Sequence, residues 1–150
     1  MFHIALYEPE IPPNAGNIAR LCAATRSRLH FIGRLGFRMD DKTLKRAGLD
    51  YWPHVDWLRH GTFDDFLKVV TGRIWLVECP APVRYTEVQF EDGDCLLFGC
   101  ESKGTPPAIR QMYADRMISI PLMTDAVRSL NLSTSVGIVL YEALRQQGKW

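Results

Sequence analysis

The chain has 150 residues, of which 47% are hydrophobic and 23% charged, and its formal net charge is +1. These proportions are those of an ordinary folded domain, and the nearly neutral charge argues against a wholly basic nucleic-acid binder of the histone type. No apolar run approaches the ~18 residues of a membrane-spanning helix, and the N-terminus shows no basic region followed by an apolar stretch, so neither a membrane protein nor a secreted protein is expected. We expect one domain over residues 1–150, in the cytoplasm.

Short apolar runs rich in β-branched and aromatic residues predict five strands, at 3–7, 29–32, 74–77, 95–98 and 117–122. Apolar residues at helical spacing predict three helices, at 17–24, 62–70 and 132–144. The polar stretch 80–94 is predicted to connect two strands. This alternation indicates an α/β fold with a mostly parallel sheet flanked by helices.

Residues 12–20 join the first predicted strand to the first predicted helix and hold a polar cluster. Two prolines end the strand, and Asn14 can cap the helix that follows. Asn17 and Arg20 are three positions apart and therefore share one face of that helix. Because ligands bind at the carboxyl ends of the strands in open α/β sheets, the pair indicates a recognition site. The alternative is a capped helix with one solvated arginine.

Three later loops also follow predicted strands. One holds Glu78, the next runs G-C-E-S-K-G-T-P from Gly99, and the third leads from Ile120 to the helix start around Asn131. No G-x-x-x-x-G-K-[ST] and no G-x-G-x-x-G occurs, so nucleotide hydrolysis and dinucleotide redox chemistry are disfavoured. Taken alone, Glu101 could be a surface acid and the serines near Asn131 an ordinary helix start.

The basic residues are concentrated in one part of the chain. Residues 20–46 hold eight lysines and arginines against two aspartates, a local charge of +6 that leaves −5 for the rest. A local basic surface fits contacts with phosphate groups. The alternative is a solvated face that keeps the protein soluble.

The cysteines do not indicate a metal site. Cys22, Cys79, Cys95 and Cys100 form no C-x-x-C pair and have no histidine at zinc-like spacing. Neither a structural metal nor a disulfide framework is therefore expected, and the four should be buried small residues or free thiols.

In combination the loops form an ordered set of motifs: N-x-G-N-x-x-R after the first strand, F-G-x-E-[ST]-[RK]-G in the middle, and I-P-[ML] followed by S-L-N-L-S. This set resembles the SPOUT-class RNA 2′-O-ribose methyltransferases. Within that class the chain is most similar to the short, single-domain bacterial enzymes that methylate the wobble nucleotide of leucine tRNAs. The similarity includes the flanking residues 6–13, 41–51 and 139–145.

The resemblance implies a fold and a reaction. The fold would be an α/β sheet whose C-terminal part threads into a deep trefoil knot, and the protein would be a homodimer. The reaction would move a methyl group from S-adenosyl-L-methionine to the ribose 2′-hydroxyl of tRNA position 34, a cytidine or carboxymethylaminomethyluridine, leaving S-adenosyl-L-homocysteine. No RNA-binding extension is seen at either end, as in the smallest members, whose tRNA site is thought to be formed by the dimer.

Two alternatives stay open. The motifs report the reaction rather than its target, so the chain could methylate ribosomal RNA or another tRNA position. It could also be a knotted RNA-binding protein without catalysis, although Asn17, Arg20, Glu101 and Asn131 are all retained.

The resemblance also assigns a methyl-donor site. Backbone groups of Val77, Gly99 and Ile120 would hold the donor, and Ser129 and Leu130 would close the pocket. Glycine is expected at position 99 because a Cβ would obstruct close approach of the adenosine moiety.

Arg20 corresponds to the family's catalytic arginine, with Asn17, Glu101, Asn131 and Ser133 around the reacting centre. Lowering a guanidinium pKa from its ordinary value to ~7 would cost about 8 kcal/mol. We therefore expect Arg20 to orient the 2′-oxygen and stabilise its developing negative charge. Glu101 is the alternative base, or else a structural partner of Asn17 or Arg20.

Further residues are expected to bind the RNA. The expected phosphate contacts, made across the dimer, are Arg26, Arg28, Arg34, Lys42, Lys45 and Arg46. Tyr141 matches a tyrosine of the last helix in the wobble enzymes, where tRNA contact or dimer packing is expected.

Four positions depart from the family pattern. Arg26 stands where glycine is usual, Cys100 where proline is, Lys103 where arginine is, and Thr105 where leucine is. Arg26 places a Cβ at a turn, and Lys103 keeps the charge without the bidentate geometry of arginine. None of the four removes a group that methyl transfer needs.

Overall fold

The computed structural model describes residues 1–39, 42 and 51–148. The strands in this part of the chain are β1 (His3–Tyr7), β2 (Arg28–Ile32), β3 (Trp57–His60), β4 (Ile74–Val77), β5 (Val83–Arg84), β6 (Cys95–Phe98) and β7 (Met117–Ser119). They form one seven-stranded sheet in the order β3-β2-β1-β6-β4-β7-β5. All of its strand pairs are parallel. The predicted parallel α/β architecture is confirmed.

The α-helices of the described residues are α1 (Pro12–Thr25), α2 (Phe63–Leu67), α3 (Pro107–Met112) and α4 (Leu132–Gln146). Short 3-10 turns lie at Trp52–His54, Tyr85–Glu87 and Ala114–Arg116. The three predicted helices are all present, and α3 was not predicted.

The helices cover both faces of the sheet. On one face, Leu6 of the sheet is buried in a cluster with Ile18 of α1 and Val139 of α4. On the other, Phe66 of α2 and Ile109 of α3 are buried in a second cluster. Full burial of one such side chain stabilises the fold by roughly 1.5–3 kcal/mol. Because every strand runs the same way, all carboxyl ends lie at one edge of the sheet.

The strand predictions differ from the structure mainly in the two outermost strands of the sheet. The outermost strands, β3 and β5, were not predicted: β3 is partly exposed, and β5 has two residues inside the stretch interpreted as a polar connection. The last strand ends at Ser119 instead of residue 122, because Pro121 cannot donate to a strand ladder.

The first helix begins earlier than predicted. Its first two positions are Pro12 and Pro13, where a missing N–H is not needed, and Ile11 is the N-cap residue. The prediction that Asn14 caps this helix is therefore wrong, since Asn14 lies inside α1 and is buried. At the other end Arg26 adopts a left-handed conformation with φ 55°. This is the turn position where the family usually has glycine, and the extra Cβ is accommodated there.

The four cysteines are free, and Cys22 and Cys95 are buried. Burial raises the pKa of both buried thiols. The described residues contain no group of three or more His, Cys, Asp or Glu placed to hold a metal ion. None of the helices described above is long and apolar enough to cross a membrane.

Three histidines form a line across β1, β2 and β3. Nδ1 of His3 lies 2.8 Å from Nε2 of His30, and Nδ1 of His30 lies 2.9 Å from Nε2 of His60. The rings stack at 5.1 Å, and His30 and His60 also pack edge-on against Phe66. Burial lowers the pKa of His30 to about 3 and lowers the pKa values of His3 and His60.

The histidine line predicts a loss of stability in mild acid. The unfolded chain binds protons near pH 6.5 while the folded protein does not, so the free energy of unfolding should fall as the pH drops below 6.5. For His30 alone the loss between pH 7 and pH 5 should be on the order of 2 kcal/mol. Denaturant titrations at the two pH values measure it. His30→Leu should flatten the dependence, and His54→Gln, at an exposed site, should not; equal dependence in all three proteins would contradict the prediction.

Candidate functional site

A cavity of about 570 Å³ opens at the carboxyl ends of β4, β6 and β7. Its wall is formed by the segments that follow these strands and by the start of α4. The volume lies within the ~300–1,000 Å³ of small-molecule sites. The cavity is therefore where the parallel topology predicts a ligand to bind.

The residues predicted to hold a methyl donor all line this cavity: Val77, Gly99, Ile120, Ser129 and Leu130. They come from four separate segments of the chain, which the sheet order brings together. Their contact with a donor stays a prediction, whereas their convergence on one cavity is observed.

Gly99 is required by the loop that follows β6. Cys100 and Gly104 exchange backbone hydrogen bonds of 3.2 and 3.0 Å, which folds the loop back on itself. A Cβ on Gly99 would lie 2.3 Å from the carbonyl carbon of Gly104 and 2.4 Å from the nitrogen of Thr105. The structure thus gives a second reason for this glycine, since the Cβ would collide with the loop's own backbone, and the expected reason, room for the ligand, stays a prediction.

Glu101 turns one carboxylate oxygen into the protein. Its Oε1 is buried and has no hydrogen bond to any of the described residues, whereas its Oε2 accepts the backbone N–H of Glu10 at 2.7 Å. A buried acceptor without a donor is uncommon in folded proteins. The hydrogen-bond partner of Glu101 is Glu10, and not Asn17 or Arg20 as one alternative had it.

Glu10 completes a brace between the segment before α1 and the loop after β6. Its Oε1 accepts the N–H of Ser102 at 2.9 Å and the hydroxyl of Ser102 at 2.6 Å. These hydrogen bonds lower the pKa of Glu10. Sequence reasoning missed this role, although Glu10 lies in a flank shared with the family.

Asn131 begins the last helix and also reaches the first one. Its Oδ1 accepts the N–H of Ser133 at 2.9 Å and of Thr134 at 3.3 Å, as well as the Ser133 hydroxyl at 2.6 Å. Its Nδ2 donates to Oδ1 of Asn14 at 3.0 Å. Asn131 and Ser133 thus form a helix cap, and Asn14 connects that cap to α1.

Arg20 and Asn17 share the exposed side of α1, as their spacing predicted. The guanidinium of Arg20 lies over the ring of Tyr51, 5.7 Å from its centroid, and the Tyr51 hydroxyl donates to the carbonyl of Gly16 at 2.9 Å. Neither Arg20 nor Asn17 is part of the cavity wall. Both face solvent, and Asn17 lies one helical turn after Asn14, a residue of the wall.

The residues predicted to contact RNA lie at two ends of the sheet. Arg28 begins β2 and pairs with Asp56 at 2.8 Å, and Arg26 precedes Arg28 in the chain. Both therefore lie at the amino edge of the sheet, where the parallel strands begin. Arg26 and Tyr141 line a second pocket of about 590 Å³ at that edge.

The remaining predicted RNA contacts lie elsewhere. Arg34 follows β2 at the carboxyl edge of the sheet and is exposed. Its backbone N–H donates to Oε2 of Glu8 at 3.1 Å. Lys42 is exposed. Lys45 and Arg46 lie outside the described residues.

Comparison with known proteins gives consistent results. The chain matches the SpoU rRNA Methylase family over residues 1–141. It is 46% identical over 150 residues to the tRNA (cytidine(34)-2′-O)-methyltransferase of Escherichia coli K12, which covers 99% of this chain and 95% of that protein. It is 45% identical over 149 residues to the putative tRNA (cytidine(34)-2′-O)-methyltransferase of Bacillus subtilis 168, with 97% and 92% covered.

Solved structures agree with the sequence comparisons. A structure described as giving insights into the 2-OH methylation of C/U34 on tRNA has a TM-score of 0.95 and 44% identity, and covers 100% of this chain and 98% of that one. The AdoMet-bound rRNA methyltransferase of Sinorhizobium meliloti has a TM-score of 0.84 and 25% identity, with 96% of this chain and 56% of that one covered.

Proposed function

The chain belongs to the SpoU rRNA methylase family, and from this premise we propose that it methylates the ribose 2′-hydroxyl of nucleotide 34 of tRNA. The observation that carries the proposal is the 46% identity, over nearly the full length of both chains, to a protein named for that reaction. The finer assignment, to a cytidine or carboxymethylaminomethyluridine of leucine tRNAs, rests on the motif resemblance. Such an enzyme works where tRNA is modified, which supports the expected cytoplasmic location.

We propose S-adenosyl-L-methionine as the methyl donor. The cavity has the volume of a small-ligand site, and the residues that the motif resemblance assigns to the donor all line it. Val77, Gly99 and Ile120 would hold the donor, with Ser129 and Leu130 closing the site. When bound, S-adenosyl-L-methionine supplies an activated methyl group and leaves as S-adenosyl-L-homocysteine.

The residues of this chain would position the ribose and stabilise charge. Arg20 would orient the 2′-oxygen and stabilise its developing negative charge, because its guanidinium is exposed and held over Tyr51. Asn17 lies on the same face of α1 and would contact the same ribose. The cap formed by Asn131 and Ser133 would fix the start of α4 against α1.

Transfer of tritium from labelled S-adenosyl-L-methionine to bulk tRNA tests the proposed reaction. We expect label in tRNA and none in ribosomal RNA incubated in parallel. Label in ribosomal RNA alone would favour the alternative target, and no label in either would favour a non-catalytic RNA-binding protein.

The protein is proposed to act as a homodimer. The predicted RNA contacts of one chain lie at opposite edges of its sheet, Arg28 at one and Arg34 at the other, and a second copy could bring the two edges together. Light scattering should give twice the 17.1 kDa mass of the chain. The mass of a single chain would contradict this.

The C-terminal part is proposed to form the trefoil knot of the family. Strand β7 lies between β4 and β5, and the end of α4 is hydrogen-bonded to the segment that leads from β5 to β6: Gln146 binds Val88 and Phe90, and Gln147 binds Phe90. The end of α4 is thus packed against the segment that precedes β6, and this contact supports the proposal. Pulling the termini apart should leave an extension shorter than that of an unknotted 150-residue chain, and full extension would refute the knot.

Binding of tRNA should weaken steeply as salt increases, because phosphate contacts release counterions. Arg34→Gln should lower the slope of log K against log salt by roughly 0.7–0.9 for one lost contact. Lys68→Gln is the matched control, since Lys68 is exposed and paired with Asp65 away from the basic segment. Affinities measured over a salt series decide the matter, and a salt-independent affinity would refute a phosphate interface.

A further inference from the structure

Glu78 places a second carboxylate in the cavity wall, and its position is fixed by the protein. The residue follows β4, where its backbone N–H donates to Ile118 at 2.9 Å. Its Oε2 accepts the hydroxyl of the buried Thr105 at 2.7 Å. The buried hydroxyl of Thr105 thus holds Glu78 in place.

Gly104 lets the loop approach this carboxylate. A Cβ on Gly104 would lie 2.8 Å from Oε1 of Glu78, and the glycine has φ 67°, a conformation that other residues rarely adopt. The carboxylate is thus enclosed by the loop after β6 on one side and is open to the cavity on the other.

The charge of Glu78 has no cationic partner within the described part of the chain, where its hydrogen-bonding partner is the neutral hydroxyl of Thr105. The same holds for Glu101, whose Oε2 accepts a backbone N–H. The cations of the wall, Lys103, Arg110 and Arg128, are exposed. The wall of the cavity therefore includes, at Glu78, a carboxylate that is bound to a neutral hydroxyl and is not paired with any of the three wall cations in the described part of the chain.

A positively charged group of a ligand complements the Glu78 carboxylate. S-adenosyl-L-methionine carries two cationic groups, a sulfonium and an α-ammonium, and one carboxylate. We propose that Glu78, held by Thr105, binds a cationic group of the methyl donor and is a determinant of donor affinity; this inference rests on the proposed function. The exposed cations of the wall are left for the donor carboxylate or for phosphates of the RNA.

Calorimetric titration of the full chain without RNA tests the inference. The probes are S-adenosyl-L-methionine, S-adenosyl-L-homocysteine and 5′-methylthioadenosine, which lacks both cationic groups. Glu78→Gln keeps an acceptor for the Thr105 hydroxyl but removes the charge. We expect it to weaken S-adenosyl-L-methionine binding about tenfold or more and to leave 5′-methylthioadenosine unchanged.

The effect of Glu78→Gln on the affinity for S-adenosyl-L-homocysteine, the reaction product, shows which of the two cationic groups Glu78 contacts. An unchanged affinity for S-adenosyl-L-homocysteine assigns the sulfonium, and an equal loss assigns the α-ammonium. Equal weakening of all three ligands, or of none, would overturn the proposal.

Two further variants serve as checks on the same titration. Thr105→Val removes the hydroxyl and keeps the charge, so its loss of S-adenosyl-L-methionine affinity should be smaller than that of Glu78→Gln. Asp64→Asn removes an exposed carboxylate on α2 and should leave all three affinities unchanged. An effect of Asp64→Asn as large as that of Glu78→Gln would overturn the assignment.

Failure of this inference is distinct from failure of the proposed function. If the unmodified protein binds S-adenosyl-L-methionine and labels tRNA while Glu78→Gln binds equally well, the role of Glu78 alone is refuted. If the unmodified protein neither binds the donor nor labels RNA, the proposed reaction is refuted with it.

Discussion

Replacing Arg20 by alanine should lower kcat for tRNA methylation by about 10²–10³-fold, the usual effect of removing one donor that stabilises a developing oxyanion. Arg20→Lys should retain a measurable part of the activity, because lysine keeps the positive charge on a flexible stem. Single-turnover rates with saturating tRNA and methyl donor measure both effects.

The position of Arg20 allows an effect on the rate of methyl transfer to be told apart from an effect on donor binding. Arg20 lies outside the cavity wall, so both variants should bind the methyl donor as the unmodified protein does. Arg116→Ala, at an exposed arginine in the turn before β7, is the control and should keep the full rate. If lysine proved as inactive as alanine, a charge-only role would be refuted and proton abstraction by the arginine would gain support.

Substitution of Gly99 by alanine should abolish tight binding of the methyl donor. The new Cβ would meet the backbone of Gly104 and Thr105 at 2.3 and 2.4 Å, and backbone atoms cannot rotate away as a side chain can. The loop must shift, and with it Glu101 and the cavity wall. The strain should also lower the free energy of unfolding by about 1–3 kcal/mol.

Gly137→Ala is the matched control for this substitution. A Cβ on Gly137, within α4, would meet no atom within 4 Å among the described residues apart from the backbone of its own helix, and alanine is favoured over glycine in a helix by roughly 0.5–1 kcal/mol. This variant should bind the donor normally and unfold at a slightly higher temperature. Normal donor binding by Gly99→Ala would show that the loop does not need glycine there.

The interior of the sheet could be predicted from the sequence because its strands are buried on both faces. Ile74–Val77 and Cys95–Phe98 are continuous apolar runs, and the structure has both with the predicted bounds. The edge strand Trp57–His60 escaped prediction because its exposed residues include a charged one and give no such pattern. Val83–Arg84 is too short to give any pattern.

The place of the site could be predicted, but most of its contacts could not. Parallel strands send their carboxyl ends to one edge, which is enough to bring Val77, Gly99 and Ile120 together. The hydrogen bonds between Glu10 and Ser102 join residues 92 positions apart, and no local sequence pattern predicts such a pair. The same is true of the bond between Asn131 and Asn14, which are 117 positions apart.

The position of Arg20 shows the limit of spacing arguments. Its shared face with Asn17 followed from the helix period, whereas its contact with Tyr51, which is distant along the chain, depends on tertiary packing. Tyr51 holds the arginine on the outer side of α1 while its hydroxyl binds the helix backbone. An exposed arginine held over an aromatic ring fits an electrostatic role better than that of a base.

Mass spectrometry of the methylated nucleotide tests the central claim most directly. Unmodified tRNA is incubated with the protein and S-adenosyl-L-methionine, digested, and its nucleotides are mapped. We predict a single added methyl group on the ribose of nucleotide 34. A methyl group on a base, or on the ribose of another nucleotide with none at position 34, would contradict the account.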